Sequence, residues 1–277
     1  MAFTHDENPL SADEWARLNA AVIDAAKRVL VGRRVIDIHG PIGPGMEAIV
    51  HDHITGAGIG RIGLLGEEES ARVHSIRREP GFIPLIYKDF VLHWRDIETA
   101  RLSNVPIDVS IATGASALCA AREDELIFHG EPTLGYEGLM TIPGRLRLQK
   151  GDWEASGHAF SDVARATELL IEKGFYGPYA MVVSPRLYAL MHRVHRGTNV
   201  LEIEHIRKLV TDGLHQSPVL RGETGVIFSS SRANLDLVVG QDLSVGFLGA
   251  ESMNYPFRVF EAVYMRVKRP RAICTLE

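Results

Sequence analysis

The sequence predicts an α+β fold, and three observations carry that reading. An amphipathic helix pattern opens the chain, and strand-like runs dominate it after residue 225. Between them, a glycine-rich stretch from 47 to 80 holds too few packing residues to belong to a core.

Ser11-Ala12-Asp13-Glu14 is a capping-box pattern, in which the Ser11 hydroxyl and the Glu14 carboxylate satisfy free backbone donors at a helix start. Trp15, Leu18, Val22, Ala25 and Val29 then recur at spacings of three and four, a narrow apolar stripe reaching Leu30, with Gly32 as the stop. Residues 35–38 read as a short strand ending at Gly40-Pro41. From there Gly56, Gly58, Gly60, Gly63 and Gly66 precede Glu67-Glu68-Glu69 and then Arg77-Arg78, the composition of an extended arm or hairpin.

Strand character returns over 82–94, and Asp108 or Ser110 caps a longer helix running to about Phe128, ended by Gly130 and Pro132. Residues 135–148 read as turns and short strands. Ser161 or Asp162 opens a helix to Gly174, residues 179–183 form a buried strand, and Ser184 then Pro185 are a cap and first helical residue. A further helix is expected over 201–210, then strands over 226–229, 235–239, 245–248 and 257–267.

The chain of 277 residues is one large domain or two ordinary ones, long enough to bury a substantial core. With 45% apolar and 23% charged residues it matches neither a disordered nor a membrane protein, and no apolar run approaches the roughly 20 residues of a membrane span. A net charge of -5 gives no broad basic field, so neither nucleic acid nor membrane is expected as a partner. Cys119 and Cys274 are too few and too distant for a disulfide framework or zinc cluster, which fits a reducing cytoplasm. The first ten residues lack the basic start and apolar core of a secretion signal.

No catalytic pattern survives inspection. Residues 58–63 match the dinucleotide fingerprint G-x-G-x-x-G letter for letter, but neither a hydrophobic strand before nor a packable helix after supports it. His51 and His53 flank Asp52 and on a strand would share one face, yet two ligands make no metal site, and a solvent-facing loop pair is expected. His192 and His195 are read likewise as surface residues. No nucleophile elbow is present, Ser229-Ser230-Ser231 is a turn, and Asp124 and Glu125 diverge by about 100 degrees on their helix. The di-iron pattern Glu-x-x-His on paired helices is absent too. No catalytic residue, resident metal or cofactor is assigned.

Three strings point elsewhere: Gly32-Arg33-Arg34-Val35-Ile36-Asp37-Ile38-His39-Gly40-Pro41, Glu123-Asp124-Glu125-Leu126-Ile127-Phe128-His129-Gly130, and Gly240-Gln241-Asp242-Leu243-Ser244-Val245-Gly246. In order and spacing, together with the N-terminal helix and Gly177-Pro178-Tyr179, they resemble the encapsulin shell family (the linocin/bacteriocin-like family) along essentially the whole chain. Tyr87-Lys88-Asp89-Phe90, His93-Trp94-Arg95-Asp96-Ile97-Glu98, residues 134–141 and residues 269–277 are similar to the myxobacterial iron-storage shells of that family.

The resemblance implies a tailed-bacteriophage major-capsid-type fold with a peripheral domain, an axial domain and an extended arm. Its segments are 1–46 (N-terminal helix and start of the peripheral domain), 47–80 (arm), 81–145 (peripheral domain with a long spine helix), 146–228 (axial domain with pore loop) and 229–277 (return to the peripheral domain). It further implies a non-enzymatic subunit that assembles with itself into an icosahedral cytoplasmic nanocompartment. That cage would enclose ferritin-like, iron-oxidising cargo held by short targeting peptides, with iron passing through pores, and so serve iron storage and protection from oxidative stress.

On the family's pattern, Arg33, Asp37, Leu243 and Val245 fall at cargo-peptide positions, and His195, Arg196, Gly197, Thr198, Asn199, Val200 and Leu201 line the fivefold pore. A dye-decolorising peroxidase is the alternative cargo. A viral capsid protein would share the fold, but the extended N-terminal helix in place of a scaffolding or cleaved leader favours the shell. A soluble nucleotide- or metal-binding enzyme is the different-class alternative, separated by particle size.

Overall fold

The structure, a computed structural model, describes residues 8–55, 62, 64, 72–195, 197 and 199–277. Helix α1 (Ala12–Val29) starts at the expected capping box, with the Ser11 N–H donating to Glu14 Oε2 at 2.7 Å and the Glu14 N–H to Ser11 Oγ at 3.3 Å. It buries Leu18, Val22 and Ala26. The chain leaves α1 at Leu30 and makes a 3-10 turn, Gly32–Arg34, so Gly32 begins that turn instead of ending the helix. The expected strand over 35–38 shrinks to β1 (Ile38–His39), because Val35 and Ile36 both point into the core and leave no alternation to pair.

The glycine-rich region is a hairpin at its root. Strands β2 (Ala48–Thr55) and β3 (His74–Phe82) pair antiparallel from Ala48 opposite Phe82 to Thr55 opposite His74. β3 is almost wholly exposed, as expected of an arm without its own core. The arm is seated where Gly81 passes Tyr264, since a Cβ there would come within 2.5 Å of that ring.

β4 (Leu85–His93) follows, and then α2 (Trp94–Leu102), which the sequence reading missed by running the strand into Trp94. The spine helix α3 (Ser110–His129) lies where expected, and the Asp108 carboxylate receives the Ser110 N–H at 2.8 Å. Small buried residues, Ala112, Ala115, Ser116 and Ala120, let α1 approach closely enough for Ser116 Oγ to donate to the Val22 carbonyl at 2.6 Å. The short β5 (Gly130–Glu131), β6 (Tyr136–Glu137) and β7 (Leu146–Leu148) come next.

Helix α4 (His158–Glu172) begins earlier than expected, at a left-handed Gly157. β8 (Tyr179–Val183) leads through Ser184, whose side chain accepts the Leu187 N–H, into α5 (Pro185–Leu190). The helix expected over 201–210 is only α6 (Glu202–Ile206). β9 (Leu214–Gln216), β10 (Gly225–Ser229), β11 (Leu235–Phe247), β12 (Asn254–Val267) and β13 (Ile273–Leu276) complete the chain. The two strands expected over 235–248 are the single strand β11, with register shifts on either side of Gln241.

One sheet has the order β1-β11-β12-β4, the other β7-β13-β10-β8-β9. The first packs against α1 and α3 through Leu18, Val22, Ile127, Phe128, Leu237 and Phe257. The second buries Trp153, Leu170, Met181, Leu187 and Ile203 beside Leu276. β13 therefore lies in the second sheet, apart from β11 and β12 of the same expected segment. No helix among the described residues is long and apolar enough to cross a membrane.

Candidate functional site

Two sites come from the sequence reading, and the structure builds them differently. The first is a groove of about 350 Å³ between the last turns of α1 and the shifted part of β11. Ile23, Ala26, Lys27 and Leu30 form one wall, Arg33, Arg34 and Ile38 the end, and Asp242 with Leu243 the other wall. Ile23 and Ile38 are 41% and 43% exposed, so the groove presents apolar surface to whatever lies above it. At the register shifts around Gln241, Asp242 is exposed, while Leu243 is only 8% exposed and lines the groove as part of the first core.

Of the four expected cargo-binding residues, Arg33 and Leu243 line this groove. Val245 is buried in the first core beneath it. Asp37 is exposed outside the lining, and its carbonyl receives the Leu237 N–H at 2.9 Å.

Arg33 anchors the groove. Its Nε donates to Glu123 Oε1 at 2.8 Å, Nη2 to Glu123 Oε2 at 2.7 Å and to Glu261 Oε2 at 2.8 Å, and Nη1 to Asp242 Oδ1 at 2.6 Å. The side chains of Glu123 and Glu261 are fully buried, whereas Asp242 is 61% exposed. Burial alone would lower the Arg33 pKa, but the Glu123 hydrogen bonds and the surrounding carboxylates hold it above the ordinary arginine value. Glu261 is raised, by burial first and then by Glu123 beside it. Asp124, next along α3, receives the Val31 and Gly32 N–H groups, each at 2.9 Å, and burial raises it to about 6 against those bonds.

Sequence reasoning missed Glu123, Asp242 and Glu261, although the first two lie inside the diagnostic strings. Glu261 carried its own signal, a carboxylate among the apolar residues Val259, Phe260, Ala262 and Val263. Ile23 escaped because it stands off the apolar stripe that faces the core.

The second site is the segment 195–201. The Val194–Leu201 bridge closes its base, the His195 N–H donates to the Val200 carbonyl at 2.9 Å, and Gly197 turns with φ +80°. Asn199 and Val200 are exposed, and Arg196 and Thr198 lie outside the described residues. His195, expected at the surface, is half-buried, with its ring beside Phe160 and His205 at centroid distances of 6.4 and 5.2 Å. Buried Glu202 joins this loop to α4 by receiving the Phe160 N–H at 2.8 Å and the Gly157 N–H at 3.2 Å.

Other motifs resolve plainly. His192 is exposed, its Nδ1 2.9 Å from the Tyr188 carbonyl. His51 lies buried on strand β2, not in a solvent-facing loop. Most of the fingerprint at 58–63 falls outside the described residues. No group of three or more His, Cys, Asp or Glu placed to hold a metal occurs among the described residues.

Comparison with known proteins agrees with this architecture. The family model described as "Encapsulating protein for peroxidase" matches residues 1–264. The type 1 encapsulin shell protein of Myxococcus xanthus is 55% identical over 273 residues, 99% of this chain and 95% of its own length. A diheme-cytochrome-encapsulin shell fusion protein of Kuenenia stuttgartiensis is 39% identical over 97% of this chain and 74% of its own. A virus-like particle from Pyrococcus furiosus superposes with a TM-score of 0.78 at 22% identity, over 96% of this chain and 100% of that one. The capsid of Myoviridae phage XM1 gives 0.66 at 14% identity, over 88% and 90%. These likenesses establish the phage-capsid type of α+β fold, and with a family match across 1–264 and 55% identity to a full-length shell protein, the chain belongs to the encapsulin shell family.

Proposed function

We propose that this shell subunit builds an icosahedral cytoplasmic compartment around ferritin-like proteins, which oxidise iron and store it, and so limits oxidative stress. That it is a structural subunit of a self-assembling, capsid-like shell and not an enzyme follows from its family. The observation that carries the cargo reading is the groove beside α1. Ile23, Leu30, Ile38 and Leu243 offer apolar contacts to a short peptide, while Arg33, Lys27 and Asp242 supply polar handles at its edge. Support for a ferritin-like occupant comes from the strings that resemble iron-storage shells and from the name of a Pyrococcus furiosus relative, a ferritin-like-encapsulin shell fusion protein 27% identical over 217 residues. Iron enters, in this reading, through pores lined by 195–201, where symmetry brings several copies of Asn199 and its neighbours together.

The test is to purify shells from the native host and identify their content. Ferritin-like subunits, mineralised iron and hollow particles in negative stain are expected. Particles filled instead with a haem protein would replace the iron reading with a peroxidase or cytochrome cargo, the class suggested by the family model's description and by the Kuenenia relative's name.

A further inference from the structure

The buried charges behind the groove do not balance. One guanidinium, Arg33, faces two carboxyl groups that solvent does not reach, Glu123 on α3 and Glu261 on β12. Glu123 takes the bidentate face through Nε and Nη2. Glu261 receives only the remaining Nη2 contact through Oε2, and its Oε1 is buried without a hydrogen-bond partner. An ionised carboxylate stranded in this way would cost several kcal/mol. A proton on Glu261 removes the second charge beside Arg33 and gives the stranded side chain a donor, as in pairs of carboxyls that cannot both ionise.

The same cluster reaches the groove by a short path. Asp242 Oδ1 accepts from Arg33 Nη1 at 2.6 Å and also from the Leu243 N–H at 2.9 Å. The position of Leu243 on the groove wall therefore depends on Asp242, that of Asp242 on Arg33, and that of Arg33 on the Glu123–Glu261 pair. We propose that Glu123 and Glu261 hold one proton between them and that this shared proton positions the groove through Arg33 and Asp242. The proposal rests on reading the groove as the cargo site and adds its regulation: the wall releases cargo as that proton is lost.

The titratable groups around the pair are Arg33 and Arg34 on the 3-10 turn, Asp124 on α3, Asp242 on β11 and Cys119 on α3, which burial and then Glu261 push up to about 12 and which also feels Lys88 and Asp89 of β4. Asp124 is occupied with Val31 and Gly32, and Asp89 with Arg258. Burial and the neighbouring Glu123 carboxylate raise Glu261, and the opposing pull of Arg33 does not cancel that rise. The folded chain thus keeps a proton that the unfolded chain releases above its ordinary value of 4.5, so this contribution is complete in acid and declines as pH rises. Where binding needs that one proton, affinity falls about tenfold for each pH unit beyond the titration of Glu261.

The experiment uses whole shells enclosing a small fluorescent protein fused to the terminal peptide of the protein that co-purifies with shells from the native host. Its rotational anisotropy reads wall-bound against free cargo without opening the shell. Wild-type shells should lose the bound state as pH is raised. Glu261→Gln, a neutral isostere of the protonated acid, should assemble, bind at neutral pH and stay bound through the alkaline range. Infrared spectroscopy at neutral pH should show a protonated-carboxyl band in wild type that Glu261→Gln lacks.

A variant that fails to assemble, or that releases cargo at the same pH as wild type, overturns the proposal. So does the absence of an infrared difference. A peptide that never binds, beside an infrared band that is present, removes the groove reading and with it the regulation, while leaving the shared proton standing.

Discussion

The Gly32 N–H lies 2.9 Å from Asp124 Oδ1, joining the exit of α1 to the C-terminal part of the spine helix across 92 residues of sequence. Asp124 Oδ2 takes the Val31 N–H at the same distance, so one carboxylate satisfies two buried backbone donors. Asp124→Ala leaves both without a partner, at about 1–3 kcal/mol each. Equilibrium unfolding should show a loss of roughly 2–5 kcal/mol, with Asp124→Asn losing less because its carbonyl oxygen keeps one bond.

Asp236 should set part of the acid limit. Its side chain is fully buried between Arg266, at 2.6 Å, and Lys268, at 2.8 Å. Burial would raise it, but the Arg266 and Lys268 hydrogen bonds prevail and hold it below the ordinary carboxylate value of 3.8. A depressed acid stabilises the fold above its unfolded value, and that stabilisation is lost as pH falls from 3.8 through the folded value. Asp236→Asn should flatten the acid limb of a stability-against-pH curve and cost roughly 3–5 kcal/mol at neutral pH, because Arg266 loses its buried partner.

Gly138→Ala should be among the most damaging small substitutions. A Cβ there would lie 2.4 Å from the Phe128 carbonyl carbon and 2.5 Å from the Gly130 and His129 nitrogens, all backbone atoms that have no rotamer to yield. The expected outcome is a loss of roughly 3 kcal/mol or more, read as a lowered unfolding midpoint or as insoluble subunits.

Ile38→Asp separates the groove from the fold. The side chain is 43% exposed, so shells should assemble at normal size. Removing an apolar contact worth about 1.5–3 kcal/mol should weaken cargo retention by roughly ten- to a hundredfold or more, measured as cargo co-purified per shell. Unchanged loading would exclude the groove as the docking place.

Asn199→Trp tests the iron path. Asn199 is exposed on a segment whose base is already fixed by the Val194–Leu201 bridge, so the subunit should fold normally. Several indole rings around one axis should slow iron uptake in stopped-flow absorbance at equal cargo loading. An unchanged rate where entry limits the wild type would move the path to another symmetry axis.

What the sequence determined alone was local or carried by whole strings of residues. The capping box at Ser11 and Glu14, the Ser184-Pro185 helix start and the spine helix ended by Gly130 each depend on neighbours within a few positions. The family was legible in the same way, because its strings survive as contiguous sequence. Helix α2 was missed because only Ile97 and Ala100 of its nine residues are buried, too weak a stripe to compete with the strand before it. The unbroken β11 was divided because its register shifts put glycine and polar residues inside a strand.

Only the tertiary structure decided the groove and its charges. Arg33 meets Glu123, Asp242 and Glu261 across 90, 209 and 228 residues, and no periodicity links positions so far apart. Whether a carboxyl is ionised depends on its burial and on what charge faces it. Those quantities do not exist until α1, α3, β11 and β12 have packed together.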